Sequence, residues 1–169
     1  RLREINLASS ASRLFHMERI YHINNSTITV KFGSIIDSKA DVIVSSDDYM
    51  LSMGGGVSAT ICQVGGDEIR NDARKKVPAV LGDVIVTTAG KLPQKFIFHT
   101  ITIDKDSLSK YNGDTTQKTK LQKSIIHYSM KKIFRLLATM NIGTIAFPTI
   151  GAGVAGIPYE EVAKNMGEA

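Results

Sequence analysis

Three glycines towards the carboxyl end of the chain, Gly151, Gly153 and Gly156, stand in the spacing G-x-G-x-x-G within "TIAFPTIGAGVAGIPYEEV", residues 144–162. A second cluster, Gly54, Gly55 and Gly56, stands directly before "VSATICQV". Glycine costs backbone entropy on folding, so repeated glycine after an apolar stretch calls for a physical use. One such use is to bring main-chain N–H groups up to an anion held at a helix N-terminus, the chemistry of a phosphate cradle. The adjacent acids Asp47 and Asp48 precede the first cluster and are candidates for a carboxylate pair supplying a general base, Asp48 being the better placed. His99, in the apolar "FIFHTI", reads as a core histidine, and Cys62 as a small buried hydrophobe with no base beside it. Tyr49 and Met50 follow the acids and fit either a pocket rim or plain loop packing.

A dinucleotide-type glycine loop needs a strand before it, a helix opening inside it, and an acid on a second strand roughly 20 residues on. Only the strand is met by the carboxyl-terminal cluster. Pro158 suits the first turn of a helix and not its interior, so the helix starts at or after Ile157, and the sequence reaches Ala169 before a second strand. Gly54, Gly56 and Ala59 also fit G-x-G-x-x-A, but nine residues separate them from the apolar strand ending at Val44. The G-x-G-x-x-G match is therefore accidental. Two glycine loops, each placed after an apolar strand and before a helix, instead suggest a pair that grips a diphosphate from both sides.

The elements that must position these loops follow from hydrophobic periodicity. "IYHI", an Asn-Asn-Ser turn and "TITVKF" alternate as a hairpin. "DVIV" at 41–44, "DVIVTTA" at 83–89, "KFIFHTITI" at 95–103 and "TIAFPTI" at 144–150 read as strands. "SSDDYMLSMGGG" between them reads as a polar, glycine-rich loop. Helices are expected from Val57, near 67–76, over "YEEVAKNM", and from Lys118 to Met140. In the last of these, Ile126, Met130, Ile133, Leu137 and Met140 form an apolar stripe. Its basic face, Lys120, Lys123, Lys131 and Arg135, lacks interleaved aromatics and a binding motif, so it reads as a solvated surface and not as a nucleic-acid site. Residues 104–117 form a polar loop. Uniformly apolar strands alternating with helices argue for an α/β protein, a three-layer α/β/α sandwich with a central mixed β-sheet. Residues 1–19 read as an N-terminal helix or linker from an upstream region, and 20–169 as the nucleotide-binding domain.

Composition bounds the rest. The chain of 169 residues is 43% hydrophobic and 22% charged, as expected of one globular domain. One cysteine and four scattered histidines make no ligand cluster, so neither a metal nor a cofactor is expected. No apolar run reaches the ~18 residues of a membrane span, and "RLREINLASSASRLFH" has no signal core, so a cytoplasmic location is expected. A net charge of +5 favours anionic partners in general. The first residue is arginine, which suggests a segment of a longer protein.

In order and spacing, "GSI…ADVIVSSDDYMLSMGGGVSATI…GDVIVTTAGKLPQKFIFHTI…TIAFPTIGAGVAGIP" resembles a macro domain, the ADP-ribose-binding module, from about Val30 to Pro158. The resemblance implies a mixed sheet between helices. It also implies that the stretch from Ser45 to Val57, with Ser46, Asp47, Asp48, Gly54, Gly55, Gly56 and Val57, cradles the proximal part of the ligand and the distal ribose. Thr149, Ile150, Gly151, Ala152, Gly153, Val154, Ala155 and Gly156 would wrap the diphosphate, and Ser34 and Ile35 would lie at the adenine. A typical member continues past its last helix with a further strand and helix, which implies truncation or an unusual C-terminus here.

The departures from the family's pattern bear on function. Gly33, Ser34 and Ile35 stand where the family has Gly-Asp-Ile, replacing a carboxylate acceptor for the adenine amino group by a neutral hydroxyl. Ser45, Ser46, Asp47 and Asp48 stand where many members have Asn-Ala-Ala-Asn. Ser58 falls where one hydrolase branch has its acid, and Ala155 where an aromatic is common. Three readings remain. The favoured one is a sensor module that binds ADP-ribose or a related NAD-derived nucleotide, free or linked to an ADP-ribosylated protein, and signals to an effector domain of the same longer chain. The others are an ADP-ribosyl hydrolase with Asp48 activating water, and a protein-interaction domain with a vestigial pocket.

Overall fold

The computed structural model describes residues 18–103, 115–153 and 156–168. The expected helix or linker at 1–19 lies outside them but for its last two residues, as does almost all of the polar loop at 104–117. The chain divides into two compact units, Arg1–Asp37 and Ser38–Ala169. In the first, strands β1 (Glu18–Ile23) and β2 (Ser26–Lys31) form an antiparallel hairpin, with Ile23 opposite Ser26 and Asn24 left-handed at the turn. Asn tolerates that conformation better than most residues, which is why the Asn-Asn turn works. A 3-10 turn at Ile35–Asp37 closes this unit.

The second unit carries the mixed sheet. Strand β3 (Val42–Asp48) lies between β5 (Phe96–Ile103) and the two-residue β6 (Ile145–Ala146) and is parallel to both; β4 (Val84–Thr88) pairs antiparallel with β5. Helix α1 (Gly56–Gly65) packs against β3 and α2 (Asp67–Ala73) against β4, while α3 (Thr115–Thr139) packs on β4 and β5 and against α4 (Tyr159–Gly167). The chain is thus an α/β sandwich built on a mixed sheet, as the periodicity predicts.

Alternation along the strands splits the core into two layers. Val42, Val44, Val84 and Phe98 pack with Ile126, Met130 and Ile133 of α3 and with Ile150, Ile157 and Val162. The opposite face of β3 carries Ile43, Ser45 and Asp47, all buried. The expected stripe on α3 is present: Ile126, Met130 and Ile133 are buried, Leu137 and Met140 partly so, and Lys120, Lys123, Lys131 and Arg135 are exposed.

Two element boundaries differ from the sequence expectation. Strand β3 continues through Ser45, Ser46, Asp47 and Asp48, which the sequence reads as loop. These polar residues are tolerated because each finds a partner: Ser45 Oγ donates to Asp47 Oδ2 (2.6 Å), Ser46 and Thr102 share a hydroxyl bond (2.6 Å), and Thr100 Oγ1 donates to Ser45 O (2.9 Å). Strand β6, conversely, is shorter than "TIAFPTI", because Pro148 has no N–H to continue the ladder.

A polar tie joins α2 to the end of β4. Asp72 Oδ2 accepts from Thr88 N and Lys76 Nζ, both at 3.0 Å. Partial burial pushes the Asp72 carboxyl up, but the Lys76 and Thr88 hydrogen bonds and the charges of Lys76 and Lys75 outweigh it, leaving it below the ordinary 3.8.

Two outcomes follow. Ile133→Ala, at a fully buried position, is expected to cost about 2–5 kcal/mol in chemical denaturation. A depressed carboxyl stabilises the fold above its unfolded value near 3.8 and loses that contribution as pH falls through the lower folded value. Asp72→Asn should therefore lower the melting temperature at neutral pH, and its deficit against the natural chain should shrink as the medium is acidified below about that value.

Candidate functional site

Because β3 and β6 are parallel neighbours, the loops that leave them emerge at the same edge of the sheet. The β3 loop turns into α1, which packs on β3; the β6 loop turns into α4, which packs with α3 across the other layer. Neighbouring parallel strands whose connections diverge to opposite faces leave a crevice at their carboxyl ends, the usual ligand position in α/β sheets.

The first loop ends in Gly54, Gly55 and Gly56, all exposed. Gly55 is the N-cap of α1 with an extended backbone, φ −164°, and no side chain caps the helix. Among the described residues its first N–H groups therefore have no side-chain cap, a favourable position for an anion. A Cβ on Gly55 would meet nothing within 4 Å. Val57 is half-buried, and Ser58 Oγ donates to Gly55 O at 2.9 Å, so the hydroxyl standing where the resemblance puts an acid serves the helix start.

The second loop is held by its own main chain. Ala152 N donates to Thr149 O (3.1 Å), Gly156 N to Gly153 O (2.9 Å) and Ile157 N to Gly151 O (3.0 Å). Thr149, Gly153 and Gly156 are exposed, Gly151 and Ala152 half-buried, and Ile150 is a fully buried peg in the core. Val154 and Ala155 lie outside the described residues. Gly151 has φ +94°, and a Cβ there would come 2.6 Å from Ile157 Cδ1, so only glycine fits. Gly153 has open space around it.

The two acids diverge. Asp47 is buried: its Oδ2 accepts from Ser45 Oγ and, at 2.7 Å, from His99 Nδ1, while His99 Nε2 meets the Thr87 hydroxyl at 2.8 Å. Its Oδ1 is buried with no hydrogen-bond partner among the described residues. A register shift in the pairing with β5 then separates Asp47 from Asp48. Asp48 turns into the loop, where Oδ1 accepts from Met50 N (2.8 Å) and Ser52 N (3.3 Å) and Oδ2 from the Ser52 hydroxyl. No carboxylate pair forms, and Asp47 is not brought to the exposed rim. His99 is a satisfied core histidine, fully buried.

The structure adds residues that the spacing did not single out. Leu51 and Met53 are buried pegs under the loop, both left-handed at φ 49° and 51°, at a cost of about 1–2 kcal/mol each. Ser52, four residues after Asp48, closes the turn; an Asp followed by Ser at that distance is the one local signal that pointed to it. Ser34 and Ile35 belong to the first unit, where Ser34 O accepts from Asp37 N (3.3 Å) and Ile35 opens the 3-10 turn.

The fold and its paired glycine loops define an α/β sandwich with a crevice at the carboxyl edge of a mixed sheet. The macro-domain model matches residues 44–166, and the chain belongs to the macro-domain family. It is 33% identical over 141 residues to an uncharacterised protein of Aquifex aeolicus, covering 83% of this chain and 79% of that one. To an uncharacterised protein of Sulfolobus acidocaldarius it is 32% identical over 147 residues, covering 85% and 74%. Among solved structures, the Oceanobacillus iheyensis macrodomain with MES bound superposes with a TM-score of 0.78 at 25% identity, covering 90% of this chain and 79% of that one. A variant of the same macrodomain, solved with ADPR, superposes with a TM-score of 0.74 at 26% identity, covering 90% and 80%.

The unequal surroundings of the two glycines set a test of the second loop. Gly151→Ala is expected to cost about 1–3 kcal/mol in denaturation, whereas Gly153→Ala should stay within about 0.5 kcal/mol of the natural chain.

Proposed function

We propose that this macro domain binds ADP-ribose or a related NAD-derived nucleotide in the crevice between its two glycine loops, and that it does so as a sensor module of a longer protein. The observation that carries the reading is the pair of exposed glycine loops leaving adjacent parallel strands at one sheet edge, with open space at Gly55 and Gly153. The α1 N-terminus, with Gly54, Gly55, Gly56 and Val57, supplies N–H donors to one side of the diphosphate. The second loop, with Thr149, Gly151 and Gly153, lies on the other side, with Ile150 as the anchor below it. A net charge of +5 adds a favourable background for an anion. The related Oceanobacillus iheyensis macrodomain, solved with ADPR and with ADP, supports this ligand class.

Binding without turnover is the form of this reading that the site chemistry favours. Ser58 carries a hydroxyl, bonded at the helix start, where the resemblance puts an acid, and the Asp48 carboxylate is bonded into its own loop. Partners are accordingly a free nucleotide or an ADP-ribosylated protein on one side and an effector domain of the same chain on the other.

Thermal shift and calorimetry against ADP-ribose, NAD, AMP and cyclic ADP-ribose test the reading directly. A ligand at a hundredfold excess over its Kd should stabilise the fold by about 2.7 kcal/mol. Gly55→Glu and Gly153→Glu each put a carboxylate into the open space and should abolish that shift while leaving the unliganded melting temperature close to natural. Affinity unchanged in both variants, or no ligand of the panel raising the melting temperature, would refute it.

A further inference from the structure

We propose that Asp48 is a positioning residue whose carboxylate clasps the first glycine loop in its binding-competent shape. Its effect on a ligand rests on the nucleotide-binding reading above; the clasp itself does not. Four bonds run from this one residue into the turn that follows it. Oδ1 accepts from Met50 N at 2.8 Å and from Ser52 N at 3.3 Å, Oδ2 accepts from the Ser52 hydroxyl, and the Asp48 carbonyl accepts from Leu51 N at 2.9 Å.

The turn needs such a clasp because its backbone is unfavourable by itself. Leu51 and Met53 are left-handed at φ 49° and 51°, a conformation that persists in side-chain-bearing residues only where the surroundings over-determine it. Burial of both side chains holds the turn from below, and the Asp48 carboxylate holds it from the main-chain side. Gly54 follows at once, so the conformation of 49–53 decides where the amides of Gly54, Gly55 and Gly56 point. The strand end that presents Asp48 is itself fixed. Asp47, one residue earlier, is bonded to Ser45 and to His99 on β5, and the register shift between the acids aims the second carboxylate out of the sheet and into the turn.

The clasp needs acceptor oxygens and not charge. An asparagine amide keeps the Oδ1 acceptor for Met50 N and Ser52 N and can donate from Nδ2 to the Ser52 hydroxyl. A general base has no such substitute.

Amide hydrogen exchange on the free protein, followed by NMR, and calorimetric titration with ADP-ribose are measured together for the natural chain, Asp48→Ala, Asp48→Asn and Ser52→Ala. Asp48→Ala should speed exchange of the Met50 and Ser52 amides about tenfold, the loss of a bond to a charged acceptor. It should weaken ADP-ribose by a similar factor, since fewer molecules hold the competent loop. Asp48→Asn should keep both within about threefold. Ser52→Ala, which removes only the Oδ2 bond, should move both readouts the same way by less, and it decides the matter if Asp48→Ala fails to fold. Unchanged exchange in Asp48→Ala overturns the clasp. So does an Asp48→Asn variant that keeps its amides protected yet binds as weakly as Asp48→Ala, which places the carboxylate on the ligand. If the natural chain does not bind ADP-ribose, the functional reading fails and exchange in the free protein still decides the clasp.

Discussion

Parallel pairing of β3 with both of its neighbours is the constraint on which the site depends. Parallel strands need crossover connections, and here the crossovers go to opposite faces: α1 and α2 follow β3, while α3 carries the chain from β5 to β6. The loops after β3 and β6 are thereby brought to one edge of the sheet although almost a hundred residues separate their glycines. No single residue creates this convergence. It follows from strand direction and from the apolar faces that hold the helices to the sheet, Val42, Val44 and Phe98 on one side and Ile43 and Ile97 on the other.

The end of β3 shows how polar residues are reconciled with that scaffold. Four consecutive polar side chains would break a buried strand if each lost its water without replacement. Ser45, Ser46 and Asp47 instead pair within the sheet, with one another or with Thr102 and His99 on β5, and Asp48 pairs within its loop. The buried Asp47–His99 contact stitches the strands at the level where regular pairing slips, and the loop begins from a rigid edge. Rigidity there has a functional meaning, because main-chain donors bind an anion well only when they are already aimed.

Much of the architecture was legible in the sequence. The uniform apolar strands, the stripe on α3 and the helix start that Pro158 sets are local signals, and each element lies close to where periodicity puts it. The glycine loops were legible as well, since glycine is the residue that close main-chain approach selects. Two boundaries were not. Ser-Ser-Asp-Asp has the composition of a loop, and only the hydroxyl and imidazole partners on β5 make it strand; "TIAFPTI" has the composition of a strand, and only the missing N–H of Pro148 cuts its pairing short.

The sequence by itself determined the fold class, the family and the position of both glycine loops, because these depend on short-range patterns of apolar spacing and glycine. Tertiary structure decided what the unusual residues do. Asp47 and Asp48 are indistinguishable as neighbouring letters, yet a register shift between them sends one carboxylate to a histidine 52 residues away and the other into the turn that follows. A partner at that distance in sequence is chosen by strand order and register, which no local pattern encodes.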